Sequence, residues 1–277
     1  MHQAKPPLAT IALATLAITA FAGNSLLARA ALGGGLIGPG SFTAIRLIAG
    51  AAVLLPWLLR GKRERPSWRG ALALMVYCAA FSFAYVELNA STGAMVLFAS
   101  VQMTILAAGH LSGARIRALD LAGIAMALAG VAILLGMNLK PGPILAMLSM
   151  IVAGVGWGIY SILGRSAADP ARRTAGNFLV AALLAAPLPF LDAGQSVTVV
   201  GAALAVASGA IASGLGYVMW YMVIPRLRHA TVGAAQLATP VIAAIAAAAL
   251  LGEPLTLRLA VAALFILGGI AATLKRG

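Results

Sequence analysis

The sequence predicts an all-α integral membrane protein with ten transmembrane helices, arranged as two inverted five-helix repeats. The first observation behind this prediction is composition, because 62% of the 277 residues are hydrophobic and 9% are charged, against roughly 25% charged residues in a soluble protein. The second is that apolar runs recur, each close to the ~20 residues with which a helix crosses ~30 Å of hydrocarbon. The third is a similarity between the two halves of the chain.

Ten apolar runs are predicted to be helices, because none alternates apolar and polar residues as a membrane β-strand does. Their approximate bounds are 8–31, 39–59, 70–88, 91–110, 119–138, 143–164, 174–191, 197–224, 230–250 and 256–274. The first run ends near an A-x-A sequence at Ala28. At about 20 residues it is longer than a signal-peptide core, so we expect it to remain as a helix. The linkers are short and leave no room for a soluble domain.

Basic residues predict the orientation. With the N-terminus in the cytoplasm, fifteen of the 19 Lys and Arg residues lie on the inner side, and Arg29, Lys140 and Arg258 lie on the outer side. This bias predicts cytoplasmic termini in a bacterial inner membrane. The net charge of +13 is concentrated in short loops, so the expected partners are anionic membrane lipids and not nucleic acid. The sequence leaves the oligomeric state open and is compatible with a monomer.

The sequence does not predict an enzyme, a metal site or a cofactor. Its single cysteine, Cys78, lies in an apolar run and excludes both an internal disulfide and a cysteine-based metal framework. The stretch "GGGLIG" (33–38) has the spacing of a dinucleotide-binding turn, but it follows a helix and not a strand. A phosphate-binding G-K-[ST] sequence is absent, so the use of ATP is unsupported.

The two halves of the chain resemble each other. Residues 92–135 align without a gap with residues 231–274, and the alignment pairs Gly130 with Gly269. Earlier in each half, "FAGNSLLAR", which begins at Phe21, matches "WGIYSILGR", which begins at Trp157. Chance similarity between alanine-rich helices is the alternative explanation.

A repeat of five helices has consequences for orientation. Residues 1–139 and 140–277 would each hold five spans, and an odd number places the second copy upside down in the membrane. Two inverted repeats around a site at the midplane are a recurrent plan of secondary transporters. Each copy then supplies one side of the same passage.

The pattern also resembles a known family. Ten helices as five plus five, an arginine in the second helix, and a proline in the ninth followed by Gly-Glu-Pro ("LATPVIAAIAAAALLGEP") are similar to the EamA-like branch of the drug/metabolite transporter superfamily. Pro240 and Glu253 fit the family pattern, whereas Val101 and Ala114 stand where the first copy usually has Pro and Glu. The resemblance implies export or exchange of small polar metabolites, commonly amino acids, without ATP.

Arg46 is the main candidate site residue. It lies seven residues beyond Pro39, about 10 Å inside the outer boundary at ~1.5 Å per residue. An arginine at the centre of a span costs about 2.5 to 3.5 kcal/mol on insertion scales, so Arg46 needs acceptors. We expect Glu87, near the outer end of the third helix, as its partner, with Asn24 at a similar depth. Either an Arg–Glu or Arg–carbonyl clasp between helices, or contact with a substrate or a gate, would satisfy this pattern.

A second polar set is predicted near the midplane. Gln102 lies in the fourth helix, Gln236 in the ninth, and Asn177 toward the inner end of the seventh. Amides can bind a zwitterion without carrying charge, and together these three predict a polar path. The alternative is interhelical hydrogen bonding, worth about 0.6 kcal/mol per bond in membranes.

Aromatic residues cluster on three predicted helices. Trp157 and Tyr160 lie on the sixth helix, Tyr217 lies on the eighth, and Tyr85 lies on the third, four residues after an aromatic neighbour. Residues four apart share a helix face. Such rings can line a pocket for amino acids or flat cations, the latter through cation–π contacts, and plain packing is the alternative.

The predicted function is that of a secondary transmembrane transporter that exports or exchanges small polar metabolites, amino acids first, by alternating access. One alternative is a drug, cation or nucleoside exporter of the same fold. The other, from a different class, is a non-transporting membrane sensor or scaffold. Because no Asp or Glu is predicted at mid-span, facilitated diffusion or exchange is favoured, and proton coupling is left open with Glu87 as its nearest candidate.

Overall fold

The computed structural model describes residues 8–59, 64–113, 118–135, 141–164, 167–192, 194–223 and 229–274. Within these ranges the chain is helical and contains no strand. The helices are α1 Leu8–Leu32, α2 Pro39–Leu59, α3 Trp68–Tyr85, α4 Ala90–Leu111, α5 Ala118–Leu135, α6 Pro141–Gly164, α7 Pro170–Ala185, α8 Val199–Val223, α9 His229–Leu251 and α10 Leu257–Leu274.

The all-helical membrane prediction is confirmed, and each of the ten predicted runs corresponds to one helix. By length and composition, six described helices can each cross a membrane: α1, α2, α3, α4, α6 and α8. α5, α9 and α10 contain shorter apolar segments. α7 has 16 residues and carries Arg172 and Arg173 in its first turn. The chain is therefore a multi-pass membrane protein.

The ends of α3 and α7 differ from the prediction. α3 begins at Trp68, capped by the Ser67 hydroxyl, and ends at Tyr85 rather than near residue 88. α7 begins at Pro170 and ends at Ala185, six residues before the predicted end at 191. Pro187 and Pro189 follow that end, and because proline has no N–H to donate, the chain continues there as a 3-10 turn, Leu188–Asp192.

The helices of the two halves pack against each other rather than forming separate bundles. α3 and α4 pack against α6, α8 and α9 pack against α1, and the pairs α2–α7, α4–α9 and α5–α10 are also in contact. Glycines allow close approach at these crossings, as where Gly156 faces the backbone of Tyr77 and Gly154 faces the carbonyl of Leu97. Buried aromatic side chains of α1, α3, α6 and α8 occupy the centre of the bundle.

Carboxylates cap helices that belong to the other half of the chain. Asp192 accepts hydrogen bonds from the N–H groups of Gly40 (2.8 Å) and Ser41 (2.7 Å) at the start of α2. Glu253 accepts from the N–H of Ala90 at 2.6 Å and from Ser91 at the start of α4. The first N–H groups of a helix have no partner within it and carry partial positive charge, which a carboxylate stabilises.

A third carboxylate contact links the segment after α2 to the residues just before α7. Glu64 accepts from the N–H groups of Ala168 and Asp169, and it forms an ion pair with Arg173. These contacts join segments 104 residues and more apart, and they tie α7 to the segment that follows α2.

The middle of α8 departs from α-helical geometry. Residues Val199–Ala207 and Gly216–Val223 are α-helical, whereas Ser208–Leu215 between them form a π-helix. π-helical turns are rare and are frequent at functional sites. This segment lies against α2, because a Cβ added to Gly209 would overlap the Arg46 carbonyl oxygen.

Some sequence predictions concern residues outside the described ranges. These are the boundary between the halves at 139–140, Ala114, and most of the basic loop residues that predict the orientation, such as Lys5, Lys140 and Arg226.

Candidate functional site

Arg46 lies at the centre of the bundle with none of its surface exposed. Its Nε donates a hydrogen bond to Ser213 Oγ (3.1 Å), and its Nη2 donates to the hydroxyls of Tyr77 (3.1 Å) and Tyr217 (3.5 Å). The guanidinium carbon also lies 4.8 Å from the Phe81 ring centroid and 5.1 Å from that of Tyr77, within cation–π distance. α2, α3 and α8 together therefore hold this cation.

The predicted pair of Arg46 and Glu87 is wrong. Glu87 is exposed in the turn after α3, where its backbone N–H bonds to the carbonyl of Ala84. The α3 residue at the depth of Arg46 is Tyr77, which precedes Glu87 by ten residues. Ten helical residues span about 15 Å, so Glu87 is too far along the helix axis to reach Arg46. Among the described residues, no carboxylate contacts Arg46, and its Nη1 has no hydrogen-bond acceptor.

Asn24 joins the Arg46 cluster from α1. Its Nδ2 donates to the Tyr77 hydroxyl (3.3 Å), and its Oδ1 accepts from the Ser208 hydroxyl (2.5 Å). A chain of hydrogen bonds thus runs from Ser208 through Asn24, Tyr77 and Arg46 to Ser213. We call these five residues the polar network. It begins and ends on the π-helical segment of α8.

A small cavity lies beside the polar network. Its volume is about 10 Å³, of the order of one water molecule. Asn24, Tyr77 and Tyr217 contribute to its lining, and the remaining lining residues are apolar or aromatic: Phe21, Phe81, Leu97, Phe98 and Trp157. Arg46 lies behind this lining and reaches it through the two tyrosine hydroxyls.

The predicted aromatic residues of α6 and α8 meet around the cavity. The ring centroids of Trp157 and Tyr217 are 4.6 Å apart, and Trp157 lies 5.2 Å from Tyr77. Tyr160 packs against Trp157 at 5.7 Å and against Tyr217 at 6.2 Å. Phe21 of α1 packs edge-on against Trp157 and Tyr217. All these rings are buried.

Other predicted site residues lie away from the cavity lining. The Tyr85 hydroxyl donates to the carbonyl of Ala90 at 3.4 Å, at the start of α4. Asn177 accepts from the N–H of Ser67 at 2.8 Å, which is interhelical bonding at the start of α3. Gln102 and Gln236 are half-buried and are not among the lining residues. A polar path through the three amides remains a prediction.

Three members of the polar network were missed from the sequence. Tyr77 precedes Phe81 by four residues, so the same spacing that places Tyr85 on an aromatic face also includes it. Ser208 and Ser213 carry a different signal, a Ser-Gly pair that recurs after five residues in "SGAIASG". That period does not correspond to an α-helical face and becomes meaningful only in the π-helix.

The site has donors for an anion and no evident metal ligands. A guanidinium only donates hydrogen bonds, and its planar fork matches a carboxylate. In the described part of the chain, no group of three or more His, Cys, Asp and Glu side chains could hold a metal ion.

Comparison with known proteins places the chain in a family. The EamA-like transporter family matches residues 8–136 and, a second time, residues 144–275. An uncharacterized protein of Pseudomonas aeruginosa is 48% identical over 96% of this chain and 94% of its own length. The threonine/homoserine exporter RhtA of Escherichia coli K12 is 28% identical over 89% of this chain and 84% of its own length.

Solved structures include the same fold. One crystal structure is 25% identical to this chain and superposes on it with a TM-score of 0.69, covering 96% of this chain and 99% of the other. The two family matches together span nearly the whole sequence. The chain belongs to the EamA-like transporter family.

Proposed function

We propose that the protein exports or exchanges small metabolites that carry a carboxylate, amino acids first, across a bacterial inner membrane. The observation that carries the proposal is the buried guanidinium of Arg46, which has hydroxyl and ring neighbours but no carboxylate partner among the described residues. The similarity to a threonine/homoserine exporter supports amino acids as the first class to test.

A carboxylate ligand would relieve an energetic cost at Arg46. A buried charge is unfavourable unless it is paired and fully hydrogen-bonded, and Nη1 of Arg46 has no acceptor in the described structure. Hydrogen bonds between a guanidinium and a carboxylate are shorter and roughly twice as strong as bonds between neutral groups. The neutral hydroxyls now on Arg46 are therefore weaker partners than a substrate carboxylate would be.

The rest of the site suits the ammonium group of an amino acid. Trp157, Tyr217 and Phe21 present aromatic rings around the cavity, and ring faces attract cations. The Asn24 side chain adds a polar group to the same lining. We infer that a zwitterion binds with its carboxylate toward Arg46 and its ammonium among the rings.

Alternating access between inverted repeats is part of the proposal. The alignment of the two halves pairs residues 139 apart, as 92 with 231. Gly130 lies against Ala262 and Ile266, and Gly269 lies against their counterparts in the first half, Gly123 and Ala127. Equivalent residues of the two halves therefore make the same contacts where α5 crosses α10. The two helices run antiparallel at this crossing. This symmetry and the double family match both support the inverted arrangement.

Transport requires movement of the helices around the cavity. A volume of about 10 Å³ is of the order of one water molecule and is too small for an amino acid. We infer that the site opens toward one surface at a time, with both termini in the cytoplasm as the basic residues predict. We further propose that anionic lipid headgroups bind the basic loops and that the protein acts as a monomer.

The distribution of carboxylates favours facilitated diffusion or exchange over proton coupling. All six Asp and Glu residues lie at helix ends or in connections, and none lies at mid-span: Glu64, Glu87, Asp120, Asp169, Asp192 and Glu253. Asp192 and Glu253 cap helices of the other half, and Glu64 holds the segment before α7 and pairs with Arg173, so these three have structural partners. A cationic drug is disfavoured as cargo, because Arg46 would repel it.

The proposal is tested by counterflow of labelled amino acids into liposomes that contain the purified protein. Wild-type protein should accumulate label from at least one of threonine, homoserine, serine, leucine or phenylalanine. We expect Arg46→Ala to reduce counterflow at least about a hundredfold and Arg46→Lys to restore it only in part, because a lysine cannot bind a carboxylate bidentately.

The matched control is Arg258→Ala, which removes an exposed arginine at the start of α10 and should leave counterflow unchanged. Full counterflow in Arg46→Ala would remove this residue from the mechanism. Counterflow that collapses with an imposed pH gradient would replace facilitated exchange with proton coupling.

A further inference from the structure

The π-helical segment of α8 contains a repeat with the period of a π-helix. In "SGAIASG" the pair Ser208-Gly209 recurs five residues later as Ser213-Gly214. In an α-helix of 3.6 residues per turn, residues five apart point about 140° apart. In a π-helix the hydrogen bonds join residues five apart, which therefore lie one turn apart on the same face. The π geometry thus directs both serines to one side of α8.

Each pair in the repeat makes the same two kinds of contact. Each serine hydrogen-bonds to another member of the polar network. Ser208 donates to Asn24 Oδ1 (2.5 Å), and Ser213 accepts from Arg46 Nε (3.1 Å). The glycines face α2, where an added Cβ on Gly214 would lie 2.7 Å from Val53 Cγ1 and one on Gly209 would overlap the Arg46 backbone. The segment is therefore held against α2, with Ser213 at the guanidinium and Ser208 at Asn24, and both serines are fully buried.

Ser213 occupies a donor that a substrate carboxylate would also use. A carboxylate accepts more strongly from a guanidinium than a hydroxyl does, so substrate can displace Ser213 from Nε. When the carboxylate leaves, a buried charged donor without an acceptor is costly. The Ser213 hydroxyl can then return to the same nitrogen, because the π segment already directs it there.

We propose that Ser213 takes the place of the substrate carboxylate on Arg46 Nε while the transporter reorients without cargo, and so makes net export available in addition to exchange. The inference rests on the proposed function. In alternating access, exchange requires only the loaded transporter to reorient, whereas net export also requires the cargo-free transporter to do so. Ser213 is therefore a positioning residue. It acts only when the cargo-free transporter reorients, which we call the return step.

The experiment measures counterflow and net efflux in the same proteoliposomes, using whichever amino acid the wild-type protein carries. Counterflow reports exchange, and efflux into medium that contains no substrate reports net export. The variants are Ser213→Ala and the conservative Ser213→Thr, which keeps a hydroxyl. The matched control is Ser100→Ala, a buried helical serine whose hydroxyl donates to the carbonyl of Val96 in its own helix. Thermal unfolding in detergent checks that each variant is folded.

The expected result is a split between the two rates. In Ser213→Ala the ratio of net efflux to counterflow should fall by about tenfold or more, because a hydrogen bond to a charged group is removed from the reorientation of the cargo-free transporter. Ser213→Thr should recover most of the efflux, and Ser100→Ala should change neither rate.

Four outcomes would overturn the inference. Equal loss of both rates in Ser213→Ala would make the serine merely structural, and no loss of efflux would show that the return step does not need it. Wild-type counterflow without net efflux would make the protein an obligatory exchanger. Absence of both wild-type fluxes for every amino acid would contradict the proposed function itself, and this inference with it.

Discussion

α3 and α8 are the third helices of the two halves, and they differ in how they serve the same arginine. Each packs against the first helix of the other half, and each contributes one tyrosine hydroxyl to Arg46, Tyr77 from α3 and Tyr217 from α8. α3 is α-helical from Trp68 to Tyr85, whereas α8 contains a π-helical segment in its middle.

The difference separates two tasks. α3 provides a regular face of rings at a spacing of four, with Tyr77 and Phe81 beneath the guanidinium. α8 adds two serine hydroxyls and a backbone-to-backbone contact with α2, which only the π geometry aligns. Two helices in matching positions thus support the same buried charge in different ways. α3 provides ring faces and one tyrosine hydroxyl, whereas α8 provides a tyrosine and a serine hydroxyl.

The largest expected effect concerns the contact between α8 and α2. Gly209→Ala places a Cβ on the Arg46 carbonyl oxygen, a backbone atom that cannot move aside, so we expect the free energy of unfolding to fall by about 3 kcal/mol. The measurement is equilibrium unfolding in mixed detergent micelles. Gly216→Ala is the control on the α-helical part of α8, because its nearest neighbour, the Ala20 Cβ at 3.2 Å, is a side chain. Equal stability of both variants would show that the π segment is not held against α2.

The next effect compares the two tyrosines. Tyr77→Phe removes an acceptor for both Arg46 and Asn24, whereas Tyr217→Phe removes one longer bond to Arg46. We expect counterflow to fall by about tenfold in Tyr77→Phe, as a bond to a charged group is lost, and by about threefold in Tyr217→Phe. Rates of amino acid counterflow in liposomes provide the measurement. A larger loss in Tyr217→Phe than in Tyr77→Phe would show that α8, and not α3, provides the more important hydroxyl.

The smallest effect compares one buried serine from each helix. Ser82 of α3 accepts from Thr43 and donates to Cys78, so it joins α3 to α2 outside the polar network. Ser208 of α8 bonds within the network, to Asn24. We expect Ser82→Ala and Ser208→Ala each to lower the free energy of unfolding by about 1 kcal/mol, with counterflow reduced only in Ser208→Ala. Unfolding and counterflow measured on both variants test this, and reduced counterflow in Ser82→Ala would extend the network to Ser82.

Much of the fold could be predicted from the sequence, because membrane spans depend on local composition. Each helix satisfies its own backbone hydrogen bonds, so runs of about 20 apolar residues are informative without knowledge of their neighbours. The prediction was weaker where a boundary depends on a few residues. α7 ends at Ala185 because of the prolines beyond it, and the misplaced end of α3 contributed to the wrong assignment of Glu87.

The candidate site could be predicted only in part. Arg46 and Asn24 were identified because a polar residue in an apolar run needs partners, and the partners had to come from other helices. Asp192 and Glu253, which cap α2 and α4, are separated from those helix starts by about 150 residues or more. Nothing in a local window indicates that such groups meet.

The sequence by itself determined that this is a helical membrane protein, that a permanent charge lies within a span, and that the two halves are similar. The tertiary structure decided which groups surround that charge. Hydroxyls of Tyr77, Tyr217 and Ser213 take the place that Glu87 was expected to fill, because their helices cross at the depth of Arg46 and the turn with Glu87 does not. The depth of a residue and the direction of its side chain depend on how the helices pack and on the π-helical segment of α8. These are properties of the assembled bundle rather than of any one segment.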